Sequence, residues 1–394
     1  MIAFFSLGRK RLRFMVLSVF AMVLAACDPV ALGGLTNAGG PRIDTSAPVP
    51  VALLVPRGGT PADELLARNL ENAAKLAIAN LDGVEVDLRV YGTAGSAATA
   101  STAAAQAVSD GAKIILGPVY SAAANAAGVA AAPAGVNVLA FSNNPSIAGG
   151  NVFVLGPTFN NTADRLVNYA ARNGKRRIVV LHSNDVAGQL GRSAIAAAAA
   201  ANGATIAGSV DYALSQEAVV AAVPRVKATV DSSGADALFL TAPSASALPL
   251  FAQLLPEAGI QAATTQYIGL TRWDIPPQTL GLPGLQGGWF ALPDPSASAA
   301  FTGRYSAAYG GQPHPLAGLA FDGIAAIGAL VKGGKSNALT GAALSQGAGF
   351  QGATGIFRLR PDGTNQRGLA VATIRNQSVV ILDPAPRGFG GAGF

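Results

Sequence analysis

The sequence predicts an α/β protein of two lobes, each a parallel sheet flanked by helices. Three observations point there. From Val49 onward, short apolar runs alternate with longer segments of helical periodicity, the grammar of a parallel sheet covered on both faces. The alternation runs to about residue 156 and then starts again, a repeat of architecture without a clear repeat of sequence. Half of the residues are hydrophobic and 12% are charged, so the chain can bury a large core and lacks the composition of a disordered one.

The elements follow in order. "VPVALLVP" (49–56) is an apolar run of strand length. Thr60 and Pro61 open a helix: threonine accepts from a first-turn N–H, proline suits the first helical position, and Asp63 faces the positive end of the dipole. Leu65, Leu66, Leu70, Ala73, Ala74, Ala77 and Leu81 recur at helical spacing and form its expected buried face. "VEVDLRVY" (84–91) alternates apolar with charged residues, as a half-exposed strand does. An alanine-rich helix, the strand "KIILGP" (113–118), a helix from about Ser121 and the strand "VNVLAF" (136–141) complete the first set. After "VFVLGP" (152–157) come a helix over about 160–173, the strand "RRIVVLHS" (176–183) and an alanine helix over 187–202 stopped by Asn202-Gly203. "ATIAGSVDY", a helix over 216–230, "DALFLTA", a helix over 244–258 and "TQYIGL" finish the second set, and "LQGGWFALP" (285–293) adds a strand. Helices are expected at about 296–309 and 315–332, then strands around turns at Asp362-Gly363 and Asn376-Gln377.

Residues 1–48 stand outside this pattern. Arg9, Lys10, Arg11 and Arg13 precede an apolar run from Phe14 to Leu24, and small residues follow, which describes a secretory signal peptide over 1–26. The run is too short for a membrane span of ~20 residues. It ends in "VLAAC" (23–27), which holds the single cysteine of the chain and resembles the bacterial lipobox. In that pattern the cysteine, here Cys27, is acylated, and two or more acyl chains anchor a protein stably. Residues 28–48, rich in Gly, Pro and small polar residues, read as a flexible tether. The formal charge is +6, and loss of the four basic residues before Cys27 leaves about +2, so nothing supports a nucleic-acid partner.

Motifs of catalysis fail one by one. "GGKS" (333–336) lacks the glycine required five positions before Gly334 and follows a helix, unlike a phosphate loop. "GFGGAG" (388–393) fits a dinucleotide pattern literally but has no following helix. His182 and His314 show no metal spacing, and no nucleophile stands beside a candidate base. No catalytic residue, metal or cofactor is expected, and the chain reads as a binder.

Polar clusters remain at the C-terminal ends of the expected strands, where open parallel sheets bind ligands. Tyr120 and Ser121 follow "KIILGPV", Ser142 and Asn143 follow "VNVLAF", Ser183 and Asp185 follow "RRIVVL", Thr241 follows "DALFL", and Arg272 follows "TQYIGL". Two such edges facing each other would form a cleft, with these eight residues as candidate ligand contacts. Ser121 also opens a helix, where free N–H groups attract anions.

"IILGPVYS", "VNVLAFSNNP" and "VFVLGPTFNNTADRLVNYA" resemble the type I periplasmic binding proteins, in the leucine/isoleucine/valine-binding branch, over about residues 49–382. The resemblance implies discontinuous lobes joined by three crossovers and closing by hinge motion. Lobe 1 would then cover 49–156 and 293–333, lobe 2 would cover 157–292 and 334–383, and 384–394 would be a Gly-rich tail. In the amino-acid-binding component of an ABC importer, residues at the Ser121, Ser142 and Asn143 positions grip the α-carboxylate and amine. An aromatic and an acid come from the second lobe. The aromatic's place falls at Val186-Ala187 and the acid's near Ala242 to Ser244, where there is no acid; Asp185 is the nearby substitute. A buried ammonium without a carboxylate is costly. "DALFLTAPSASALPLFAQL", "TRW", "GLPGLQGGWFALP" and "QGATGIFRL" look more like the penicillin-binding protein activators, lipoproteins that stimulate peptidoglycan synthesis through protein contact. The sequence reading therefore favours an activator-like regulator, with the importer component for amino acids or short peptides as the alternative. The expected partners are a small ligand (amino acid, peptide or peptidoglycan fragment), a penicillin-binding protein or an ABC permease. A lipid anchor would hold the chain on the periplasmic side of the inner or outer membrane.

Cys27→Ser should leave the precursor uncut and without lipid. Mass spectrometry of the wild-type mature chain should show acyl mass on Cys27, and a mature chain without it would end the lipobox reading.

Overall fold

The computed structural model describes residues 40–390; the expected signal, Cys27, the first part of the tether and the last four residues lie outside the described residues. Among the described residues no helix is long and apolar enough to cross a membrane.

The first lobe rests on β1 (Val49–Val55), β2 (Val86–Gly92), β3 (Ile114–Leu116), β4 (Asn137–Ala140) and β5 (Val152–Val154), all parallel in the order β2-β1-β3-β4-β5. Side chains alternate between two cores, as the pleat requires. Val51, Leu53, Val55, Ile114, Leu116 and Phe153 face one; Ala52, Leu54, Ile115, Val138 and Ala140 face the other. α1 (Pro61–Ile78) covers the first face, and α2 (Ala97–Ser109) and α3 (Ser121–Ala131) cover the second. The second face is nearly all alanine on the helix side, which lets backbones approach closely. At Gly128 a Cβ would come within 2.3 Å of Val152 Cγ2. α1 opens as its sequence predicts: Thr60 Oγ1 accepts from the Asp63 N–H, and the Asp63 carboxylate accepts from the Thr60 N–H. Leu65 departs from the expected face and is half exposed, because the buried stripe runs through Leu66, Leu70, Ala73, Ala74 and Ala77.

The second lobe repeats the plan with β6 (Arg177–Ser183), β7 (Thr205–Tyr212), β8 (Ala237–Leu240), β9 (Gln266–Gly269) and β10 (Trp289–Pro293), again parallel. α4 (Phe159–Arg172) and α5 (Val186–Ala201) pack on Ile178, Val180 and Phe239. α6 (Gln216–Ser233) and α7 (Ala247–Glu257) pack on Val179, Leu181 and Leu240 from the other side.

The chain then returns to the first lobe through α8 (Pro295–Tyr309), α9 (Ala317–Val331), α10 (Gly341–Leu344) and a small antiparallel sheet of β11 (Phe350–Gly352), β12 (Gly355–Leu359) and β13 (Asn365–Arg367). The sequence reading ends this return at 333. In the structure it runs on, because Leu339, Leu344, Phe350, Phe357 and Leu359 complete the same core as Leu53. The passage to the second lobe falls at Gly368, between β13 and β14 (Leu369–Arg375). β14 and β15 (Ser378–Asp383) complete a seven-stranded sheet, β15-β14-β10-β9-β8-β6-β7, both antiparallel to their neighbours. Asn376 and Gln377 take φ of 49° and 59°, the positive values that a tight two-residue hairpin turn demands.

Three segments therefore cross between the lobes, and side chains of the third tie it to the first. Arg367 donates from Nε and Nη2 to the Leu155 carbonyl and from Nη1 to Asp322 Oδ2 at 2.9 Å. Asp322, on α9, accepts from the Ala353 N–H at 2.7 Å. Asn365 Nδ2 donates to the Val154 and Gly156 carbonyls, and Asn161 Nδ2 donates to the Asn365 carbonyl. Arg367 and Asp322 are both buried. Burial pushes the Asp322 carboxyl up, and Arg367 with the Ala353 N–H opposes that push.

Asp322→Asn keeps the shape but leaves the Arg367 charge without a buried counterion. It should lower stability by about 3 kcal/mol, the lower end for breaking a buried pair. Urea unfolding checks this, and a midpoint equal to wild type would show that the pair is not structural.

Candidate ligand-binding site

Parallel strands of one sheet end on one edge, so each lobe gathers its strand-end loops on a single side. The structure sorts the eight predicted residues into two groups, one per lobe. Tyr120, Ser121, Ser142 and Asn143 follow β3 and β4; Ser183, Asp185, Thr241 and Arg272 follow or close β6, β8 and β9.

In the first group, the Tyr120 hydroxyl donates to Asp63 Oδ1, which holds the Asp63 carboxyl below its usual range and raises the Tyr120 hydroxyl. Tyr120 occupies the cap position of α3 and gives it no side-chain bond. The first-turn N–H groups of α3 thus start at the strand edge without a capping oxygen, beside the Ser121 hydroxyl. Ser142 is buried and belongs to the frame: its Oγ accepts from the Asn144 N–H at 3.1 Å, and its carbonyl accepts from Gly156 at 3.1 Å. A Cβ at Gly156 would sit 2.4 Å from that carbonyl oxygen, so only glycine lets the first crossover pass so near. Asn143 is exposed.

In the second group, Asp185 caps α5. Its Oδ1 accepts from Ser183 Oγ at 2.6 Å and from the Gly188 N–H at 2.8 Å. The Ser183 bond is the larger cause that holds its carboxyl below the usual range. Thr241 is buried, and its Oγ1 has no hydrogen-bond partner. Arg272 Nε donates to Asp274 Oδ1 at 2.9 Å and Nη2 to Asp274 Oδ2, a two-pronged pair. Sequence reasoning missed Asp274 as a member of this edge; the only signal was an arginine and an acid two positions apart just past a strand.

Both histidines serve the frame. The buried His182 ring nitrogen Nδ1 lies 2.8 Å from the Ser183 carbonyl, and His314 Nδ1 accepts from the Leu316 N–H at the start of α9. Among the described residues no group of three or more His, Cys, Asp or Glu could hold a metal. An apolar cavity of about 970 Å³ runs along α7, lined by residues such as Leu214, Val219, Leu250 and Leu282, and none of the eight predicted residues lines it.

Ser183→Ala should move the Asp185 titration midpoint up toward the ordinary range, read by NMR at the side-chain carboxyl carbon. A depressed acid stabilises the fold above its unfolded pKa of ~3.9, and that contribution disappears as pH falls through the folded value. The variant should therefore lose less stability on acidification than wild type does. An unmoved midpoint would exclude the Ser183 bond as the cause.

Comparison with known proteins bears on the fold. The periplasmic binding protein family model matches residues 48–378. Among solved structures, a putative branched-chain amino acid ABC transporter protein from Rhodospirillum rubrum aligns with TM-score 0.73 at 18% identity, covering 85% of this chain and all of that one. A branched-chain amino acid ABC transporter periplasmic ligand-binding protein from Burkholderia xenovorans aligns with TM-score 0.65 at 19% identity, over 85% of this chain and 96% of its own. An ABC transporter substrate-binding protein from Desulfitobacterium hafniense, in complex with Leu, aligns with TM-score 0.61 at 19% identity, over 85% and 100%. A search of the curated proteins finds no match. At these identities the likenesses describe the fold, a two-lobed α/β architecture with helix-flanked parallel sheets. The family match spans most of the chain, which belongs to the periplasmic binding protein family, a family of ligand binders and not of enzymes.

Proposed function

We propose that the chain captures a small carboxylate-bearing ligand of amino-acid type between its lobes, as the solute-binding component of an ABC importer. The observation that carries this is the start of α3: first-turn N–H groups without a capping side chain, with Ser121 beside them at the strand edge. Such an end favours a carboxylate. In the second lobe α5 is already capped by Asp185, so its end is less inviting to an anion. The sequence-level objection to an amino acid was the missing acid in the second lobe. Asp274 supplies a carboxylate on that edge, paired with Arg272.

The relatives named above are described as transport proteins, which favours the importer over the activator reading. The activator resemblance also has another explanation. In "QGATGIFRL" Gly352 lies where a Cβ would meet Asp322 Oδ1 at 2.3 Å, and Ala353 donates to that oxygen, so this pattern answers to the hinge contact. Acylation at Cys27 would keep the domain at the membrane, near a permease.

A thermal-shift screen of the domain from residue 49 with amino acids and peptidoglycan fragments tests the proposal. A ligand at 100 times its Kd should add about 2.7 kcal/mol. Ser121→Ala should weaken binding by about tenfold, the loss of one bond to a charged group. No amino-acid response, together with binding to a bifunctional penicillin-binding protein, would return the choice to the activator.

A further inference from the structure

We propose that the segment from Pro384 to Phe389 is a strap, which ties the second lobe back to the first beside the third crossover and restrains the angle between the lobes. The sequence pattern marks these residues only as the start of a Gly-rich tail, and the three crossovers do not include them. The strap does not depend on which ligand the cleft takes, nor on the importer reading.

Its root is fixed in the second lobe. β15 ends at Asp383, whose carboxylate meets two arginines of α4, Arg172 Nη2 at 2.7 Å and Arg165 Nη2 at 3.1 Å. Arg165 Nη2 also donates to the Pro384 carbonyl at 3.2 Å. Ala385 is buried in the core that holds Leu292 and Ala370. Pro384 and Pro386 fix φ on either side of that anchor, so the root leaves the second lobe in a set direction. The strap then passes over the crossover itself. A Cβ at Gly368, where the third segment changes lobes, would stand 3.2 Å from the Pro386 carbonyl oxygen.

Its tip is seated on the first lobe. Gly349, just before β11, has φ of 70°, and a Cβ there would come within 2.4 Å of Phe389 Cε2. The Arg358 guanidinium, on β12, lies 4.6 Å from the centre of the Phe389 ring. That guanidinium is held in turn, since Nε and Nη2 donate to Gln366 Oε1 at 2.9 and 2.6 Å. Phe350 and Phe357 root this small sheet in the core of the first lobe. Phe389 is half-buried, so its seat is specific in shape yet lies at the surface, where a cation–π contact is weak enough to open. The chain from Ala385 to Phe389 reaches at most ~14 Å when fully extended, which caps how far the seat can move before the ring must leave it. Rotation of one lobe against the other therefore competes with the Phe389 contact.

The chain from residue 40 onward holds all four apolar cores and no cysteine, so two introduced thiols can be labelled cleanly. Ala62→Cys on α1 and Glu217→Cys on α6 are exposed positions, one per lobe, for a nitroxide pair read by pulsed electron paramagnetic resonance without ligand. Phe389→Ala removes the tip, and a chain ended after Pro386 removes the tip while keeping the root. A single cooperative urea transition in each checks that they fold. With the strap intact the distance distribution should show one main peak. In both variants the share of pairs outside that peak should rise about fivefold, the ratio that ~1 kcal/mol of coupling gives. Distributions that match the parent in both variants would overturn the proposal and leave the tail as a surface cover. So would a change in the shortened chain that Phe389→Ala does not reproduce, because the tie would then not be the Phe389 seat.

Discussion

Arg367 joins the parts of this molecule that the apolar cores leave separate. All three of its guanidinium nitrogens are engaged, two on the Leu155 carbonyl of the first crossover and one on Asp322 of α9. Each lobe buries its own two cores, one on each face of its sheet. Hydrophobic burial can therefore fold each lobe without fixing how the lobes meet. That relation is left to a polar seam, Arg367 and Asn365 on carbonyls of the first crossover and Asn161 and Arg165 on carbonyls of the third. Such bonds are directional, and each contributes about 1 kcal/mol net, or roughly 1.5–3 kcal/mol where a guanidinium donates. Bonds of this kind set a preferred geometry between the lobes while leaving each lobe's cores intact.

Much of the fold was legible because its signals are local. Period-2 alternation in β1 sends Val51 and Leu53 one way and Ala52 and Leu54 the other. Thr60, Pro61 and Asp63 specify the start of α1 within four residues. Asn376-Gln377 mark their turn by backbone tolerance alone. What stayed hidden was set by distant pairing. Nothing near residue 334 says that Leu339 and Phe350 finish a core begun at Val49. Leu65 shares the periodicity of Leu66 and Leu70, and only the position of the sheet decides that it lies outside the buried stripe.

The site was legible in a different sense. The rule that ligands meet strand ends names loops, and all eight residues lie at or just after strand ends of the two sheets. It does not say which of them are already committed. Ser142 and Asp185 look like ligand contacts in sequence, but in the structure one braces the first crossover and the other caps a helix. Capping is the physical distinction that matters, because a helix end satisfied by its own side chain has less to offer a ligand. By that measure the start of α3 is an open position at the strand edge of the first lobe.

The second lobe imposes a further constraint on any occupant of the cleft. The two acids in the loops that follow β6 and β9 are both engaged, Asp185 by Ser183 and Gly188, and Asp274 by Arg272. A ligand ammonium that reaches Asp274 must share it with a guanidinium or displace one. Arg272 is partly exposed, and a pair of that kind contributes at most about 1 kcal/mol, so sharing is affordable.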